Sequence, residues 1–161
     1  MGFFDYNLPM KAIYFDDGTV WDQQYLQDNF VKYIRGTDGD DTINDTGDND
    51  IVFCGMGNDY IKGRQGDDRY IYNLGDGCDT IDDSTLWGNG YNTLQFGDGI
   101  SIDDIYTECS VYDGQKYTRF YIGGHDSYVQ VIGINEVEFA DGSKLTFDGF
   151  KNAAKPASEL F

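Results

Sequence analysis

The sequence predicts an all-β protein built around a parallel β-roll of nonapeptide repeats, with a C-terminal β-strand cap and a short N-terminal cap of one hairpin and one helix. Three observations predict it. Of the 29 acidic residues 25 are Asp and only 4 are Glu, and 21 Gly stand against 2 Pro, so the acidity belongs to turns and not to solvated helices. A nine-residue period runs through the centre of the chain, and in each period one apolar residue follows an Asp by two places.

At the N-terminal end, IYFDDGTVW at residues 13–21 reads as a hairpin. It aligns with VEFADGSKL at residues 137–145, placing Phe15, Asp17 and Gly18 on Phe139, Asp141 and Gly142 at an offset of 124 residues. The chain thus carries the end of one module before a complete second one, as in a tandem array. Asp22 can cap a helix running to about Tyr33, with Tyr25, Leu26, Phe30, Tyr33 and Ile34 on one face, placed to plug the N-terminal end of the coil.

Residues 36–71 then divide into GTDGDDTIN, DTGDNDIVF, CGMGNDYIK and GRQGDDRYI. The sixth places are Asp41, Asp50, Asp59 and Asp68, followed two places on by Ile43, Val52, Ile61 and Tyr70. After a two-residue slip come Asp79 and Ile81, and after a longer loop Asn92 and Leu94. Six polar residues form each turn and three a strand, so a unit alone buries almost nothing. Stacked units, two to a coil, form two parallel sheets around a thin apolar core. The same turns stack Asp on Asp. Two like charges ~4 Å apart cost about 4 kcal/mol at an effective dielectric near 20, so the columns require a cation. Oxygen-only ligands suit calcium better than magnesium or zinc.

The pattern resembles the RTX nonapeptide GGxGxDxUx of secreted bacterial toxins, proteases, lipases and adhesins, a calcium-binding parallel β-helix repeat. The resemblance is carried by residues 36–81. It implies calcium between each repeat and the next but one, pairing Asp41 with Asp59, Asp50 with Asp68 and Asp59 with Asp79, about three sites in all. A fourth, weakest pairing joins Asp68 and Asn92. Carbonyls or turn positions at Gly36, Asp38, Gly39, Gly47, Gly55, Gly57, Gly66 and Gly77 would complete them. Asp48 stands where a fourth-place Gly is expected, Cys54 opens repeat three and Arg64 takes a second place, so the Asp50–Asp68 site departs furthest from the pattern. An EF-hand is excluded because no acidic loop ends in a Glu at its twelfth place.

Residues 75–147 look like the haemolysin-type calcium-binding protein related domain that follows such repeats. From the residues themselves, 105–111, 117–122, 128–132 and 137–139 read as strands, and TRFYIGGHDSYVQV as a hairpin, together capping the open end of the coil. The expected division is an N-terminal cap over 1–35, the roll over 36–94 and a β-rich cap over 95–161.

The function expected is that of a calcium-binding module of a secreted, extracellular or cell-surface protein, exported unfolded through a type I channel and folding on calcium outside. The alternatives are an adhesion or carbohydrate-binding module using the aromatic cap, or a non-catalytic fragment of an RTX toxin or secreted enzyme. A net charge of -18 repels nucleic acid and anionic lipid, and no apolar run is long enough for a transmembrane span. Neighbouring modules of the same long chain are the expected protein partners. No catalytic framework accompanies the single His125, which reads as an exposed turn residue. The three Cys read as free thiols, with a Cys54 to Cys78 disulfide as the alternative.

Overall fold

The computed structural model describes residues 12–22, 32–84, 90–112, 114–124 and 126–160. The chain divides into two units, Met1–Val31 and Lys32–Phe161. Within the first, β1 (Ala12–Tyr14) and β2 (Val20–Asp22) form an antiparallel hairpin. Its turn is a near copy of the one at the other end of the chain. Phe15 N–H donates to the Thr19 carbonyl and Gly18 N–H to the Phe15 carbonyl, as Phe139 N–H does to Ser143 and Gly142 N–H to Phe139. Gly18 and Gly142 sit at φ 85° and 82°.

The second unit is mostly β, with two mixed sheets. Its first strands are β3 (Lys32–Arg35), β4 (Thr42–Asn44), β5 (Asp50–Phe53), β6 (Tyr60–Lys62), β7 (Arg69–Tyr72), β8 (Cys78–Asp82) and β9 (Thr93–Phe96). They alternate between the sheets, β3, β5, β7 and β9 in one and β4, β6 and β8 in the other, and every neighbouring pair among them is parallel. The apolar residue of each period lies in register with the one two periods on. Ile43 pairs with Ile61 and Ile61 with Ile81, while Ile34, Val52, Tyr70 and Leu94 form the opposite column. All of these except the half-buried Ile34 are buried, and they share one core. Burial of each large apolar side chain contributes ~1.5–3 kcal/mol, and only one or two such residues per strand are why no period is stable alone.

The parallel ladders continue past residue 94. Between β9 and the cap lies a single 3-10 turn at Ile102–Asp104. The next strands are β10 (Ile105–Tyr112), β11 (Gln115–Ile122), β12 (Tyr128–Ile132), β13 (Glu136–Glu138), β14 (Lys144–Thr146) and β15 (Lys155–Pro156). β12 adds in parallel to β8, with Val131 on Ile81, and β13 adds in parallel to β9, with Val137 on Leu94. β11 and β10 then extend the first of these sheets antiparallel, and β14 extends the second. The expected hairpin around residues 118–131 is the β11–β12 pair.

The short helix α1 (Phe147–Ala153) starts at Thr146, whose hydroxyl accepts from Gly149 N–H at 3.2 Å. From it Phe150 packs against Phe96 and Phe139 on one side and Phe120 on the other, at ring distances of 6.0, 6.0 and 4.7 Å. One aromatic thus ties β9 to β11, the two sheets together.

One expectation is corrected. Lys32–Arg35 is a strand, so a helix from Asp22 cannot run to Tyr33, and Asp22 itself ends β2; residues 23–31 lie outside the described residues. Ile34 falls opposite Val52, and pairing along the open edge of β5 satisfies its backbone groups while seating Ile34 on the core. His125 also lies outside the described residues.

Candidate metal centre

Each sixth-place residue sits just before or near the start of its strand, so the return of alternate strands to the same sheet after 18, 20 or 24 residues stacks it on its counterpart. The stacking is fixed by a ladder of charge-assisted hydrogen bonds. Asp41 N–H donates to Asp59 Oδ1 at 2.8 Å, Asp50 N–H to Asp68 Oδ1 at 2.8 Å and Asp59 N–H to Asp79 Oδ1 at 3.0 Å. Asp68 N–H donates to Asn92 Oδ1 at 3.0 Å. All four expected pairings are therefore neighbours. Fifth-place side chains build a second ladder outside the first, in which Asn58 N–H donates to Asp40 Oδ1 and Asp67 N–H to Asn49 Oδ1, each at 2.8 Å.

Glycine lets the turns stack this closely. Gly57 and Gly77 adopt φ of 121° and 113° and bridge one another, and a Cβ on Gly77 would lie 1.8 Å from the Gly57 carbonyl oxygen. Gly36, Gly55 and Gly66 are likewise packed against backbone of the neighbouring turn, whereas Asp38, Gly39 and Gly47 are exposed. The Gly77 carbonyl already accepts from the Tyr72 hydroxyl at 2.7 Å and from Tyr128 N–H at 3.1 Å. It has no lone pair left for an ion.

The carboxylates are not equivalent. Asp41 is only half-buried and turns to its own loop, its Oδ2 accepting from Thr37 N–H at 2.6 Å and the Thr37 hydroxyl at 2.8 Å. Those bonds hold its carboxyl below the ordinary range. Asp50, Asp59, Asp68 and Asp79 are buried, and Asp50 Oδ1, Asp59 Oδ2, Asp68 Oδ2 and Asp79 Oδ2 meet no hydrogen-bond donor. Asp45 Oδ1 is a fifth such atom. A buried carboxylate oxygen without a donor costs several kcal/mol unless a proton or a cation reaches it.

Among the described residues these atoms gather into two groups. Asp45, Asp50 and Asp68 form one and Cys54, Asp59 and Asp79 the other, each with one potential ligand atom per residue within 4.8 Å of the rest. Sequence reasoning missed Asp45 as a candidate ligand and treated Cys54 only as a departure. Both occupy the first place of a repeat, where the pattern has Gly, and that departure was the signal. The Asp50–Asp68 pairing, furthest from the repeat pattern, is the one with three carboxylates. Asp41 and Asp59 have only Gly36 at the corresponding place and no third side chain.

Sequence reasoning also missed Asn135. Its Oδ1 accepts from Asn92 N–H at 2.8 Å, and Asn92 Nδ2 donates to the Gly133 carbonyl at 3.1 Å. Asn135 precedes the buried Val137 by two places, the repeat spacing in one more copy. The Asn92 amide is engaged on both of its atoms.

Electrostatics express the same strain. Burial, and then the Asp50 and Asp83 charges, push Asp45 up to about 7, although the Tyr70 hydroxyl at 3.2 Å opposes the rise. Burial lifts Asp68 to about 7, reinforced by Asp45, Asp83 and Asp50 and opposed by the Asp50 N–H. Burial and the charges of Asp59 and Asp76 lift Asp79 to about 8, against the Asp59 N–H. Asp59 is raised, chiefly by burial. Asp83 is pushed up by burial to about 6, with the Tyr70 hydroxyl at 2.9 Å opposing. Of these groups Asp45, Asp68 and Asp79 are the ones raised into the neutral range when no cation is bound.

The three Cys are free, with Cys54 buried, Cys78 half-buried and Cys109 exposed. Burial pushes the Cys54 thiol well up, and the Asp79 and Asp59 charges add to it. No family model and no curated protein matches the chain.

Proposed function

We propose that residues 32–96, with β12 and β13 as added rungs, are a parallel β-roll that binds calcium, and that the chain is a non-enzymatic calcium-binding module of the RTX type, acting outside the cell. The single observation carrying this reading is the set of five buried carboxylate oxygens without a donor, on Asp45, Asp50, Asp59, Asp68 and Asp79. They come from stacked turns, they are hard oxygen donors, and their burial makes an uncompensated anion untenable. Calcium takes 6 to 8 oxygens in flexible geometry, which suits carboxylates mixed with turn carbonyls.

The mechanism is ion-coupled folding. Asp45, Asp50 and Asp68 would hold one ion and Asp59 and Asp79 another, with Asp41 at the margin of a third. The ion supplies the positive charge that the columns lack; the chain's own residues do the rest. Backbone N–H groups of Asp50 and Asp59 hold Oδ1 of Asp68 and Asp79, which leaves Oδ2 turned to the cluster. Thr37 and Thr46 hold Asp41 and Asp50 through side chain and backbone. A ligand bound only by the folded state adds ~1.4 kcal/mol per site at ten times its dissociation constant, so a few sites rival the stability of a marginal domain. Extracellular calcium modules bind at roughly 10⁻⁴ to 10⁻³ M, above cytoplasmic free calcium, which keeps the chain open until export.

The aromatic-surface alternative is less favoured, because the cap aromatics Phe96, Tyr117, Phe120, Tyr121, Phe139 and Phe150 are buried. The test is a calcium titration of chelator-treated protein followed by far-ultraviolet circular dichroism. Strand signal is expected to rise cooperatively between about 0.1 and a few mM calcium and not with equal magnesium. A spectrum indifferent to EDTA would overturn the reading.

A further inference from the structure

The two buried clusters are the same constellation built twice. Each takes the first and sixth places of one repeat and the sixth place of the next but one: Asp45, Asp50 and Asp68, then Cys54, Asp59 and Asp79. They differ in one donor, since the first place offers a carboxylate in the former and a thiol in the latter. Calcium binds oxygen and avoids sulfur, whereas zinc and its heavier congener cadmium take thiolate together with carboxylate.

We propose that the Cys54–Asp59–Asp79 cluster is a site for a thiophilic divalent cation of the zinc class, while Asp45–Asp50–Asp68 is left to calcium. The proposal rests on the reading of these turns as metal-binding, and departs from it in the metal. Two independent features carry it besides the cysteine. Asp59 and Asp79 are 2% and 0% exposed and each keeps an Oδ2 that meets no donor, so two hard donors wait beside the sulfur. The Sγ and a carboxylate oxygen of each lie within 4.8 Å of one another, a spread that one ion with bonds of ~2.0–2.3 Å can span. Three protein ligands with a fourth position left for water is a familiar zinc coordination. On binding, the S–H bond breaks, its proton passes to solvent, and sulfur keeps the electron pair that it shares with the metal. The competing account is that Cys54 is a small apolar core residue, since it also belongs to the core around Val52 and Ile61.

The test uses the full chain carrying Cys78→Ser and Cys109→Ser, so that Cys54 is the sole thiol, kept reduced and in calcium, and titrated with cadmium chloride. A thiolate-to-cadmium charge-transfer band in the ultraviolet is expected to saturate at one equivalent. Cys54→Ser is expected to abolish it. Asp79→Asn, which keeps the side-chain acceptor for the Asp59 N–H, is expected to raise the cadmium midpoint at least tenfold. Absence of the band, or a midpoint unchanged in Asp79→Asn, overturns the proposal, the latter because a thiol alone would then be the ligand. Circular dichroism on the same samples separates the two readings: if calcium still induces strand and no band forms, only the thiophilic site is lost. If calcium induces none, the calcium reading falls while the band still decides this site.

Discussion

Asp68 Oδ1 accepts a hydrogen bond from the backbone N–H of Asp50 at 2.8 Å, while Asp68 Oδ2, equally buried, meets no donor. One carboxylate therefore has an oxygen held in the hydrogen-bond ladder and a buried oxygen without a donor. One rung further along the same column Asn92 keeps only the ladder half, its Oδ1 accepting from Asp68 N–H.

Asp68→Asn should separate those two halves. The amide oxygen can still hold the Asp50 N–H, and the charge that burial disfavours is gone. In EDTA at neutral pH the variant should be more stable than the parent in urea denaturation. Its response to calcium should shrink, with the midpoint rising about tenfold, the equivalent of ~1.4 kcal/mol. Asp68→Ala should lose calcium and the hydrogen bond together and be less stable than Asp68→Asn in both conditions, by about 1–3 kcal/mol. Equal behaviour of the two variants would remove the division of labour.

Acid should substitute for calcium. A free aspartate titrates near 3.9, whereas in the metal-free fold Asp83 is raised to about 6, Asp45 and Asp68 to about 7 and Asp79 to about 8. Between about 4 and these values the folded state holds more protons than the unfolded chain, so the stability of the metal-free fold declines as pH rises through that window. Below about 4 the trend stops, and groups held low by their partners, such as Asp41 and Glu138, oppose further gain. Strand signal in EDTA is therefore expected to be greatest near pH 4 to 5 and to fade by pH 8, and calcium binding at pH 7 is expected to release protons. A flat or rising pH profile in EDTA would contradict the buried cluster.

Gly77→Ala should be among the most damaging small substitutions. The new methyl would meet the Gly57 carbonyl at 1.8 Å, at a backbone φ of 113° that side chains rarely adopt. Gly99→Ala is the control, for Gly99 also has positive φ but an added Cβ would meet nothing within 4 Å. The control should cost ~1–2 kcal/mol for backbone conformation alone, and Gly77→Ala clearly more. Equal losses in calcium-saturated urea titrations would mean that the turns are not closely stacked.

The regular part of the fold was legible because a period carries its own register. An Asp two places before an apolar residue marked five strands, from Ile43 to Ile81, Asn92 marked a sixth at Leu94, and the stacking of alternate repeats followed from coil length. What the period could not tell was where a first-place side chain points, and there the pattern expects glycine, so Asp45 and Cys54 escaped notice as candidate ligands. The rung at Tyr128–Ile132 was recognised as a strand but not as part of the ladder, because Val129 stands where an Asp would mark it. Asn135 and Val137 did carry the mark, in a neutral form. Lys32–Arg35 was ambiguous for another reason: a Tyr and an Ile side by side fit a helix face as readily as a short strand, and only an open strand edge decides between them.

The coil has a mechanical consequence. In the first two rungs of the aspartate ladder the partners are 18 residues apart in sequence. Eighteen residues drawn out straight reach about 60 Å, yet successive coils are separated by only the ~4.8 Å between hydrogen-bonded strands, a contraction of about twelvefold. Closing each coil therefore hauls in slack, and tension on the two ends opposes closure. If the repeats close on a cation as proposed, any load that holds the segment taut would act against that ion, and the concentration needed to close the coil would rise with the pull.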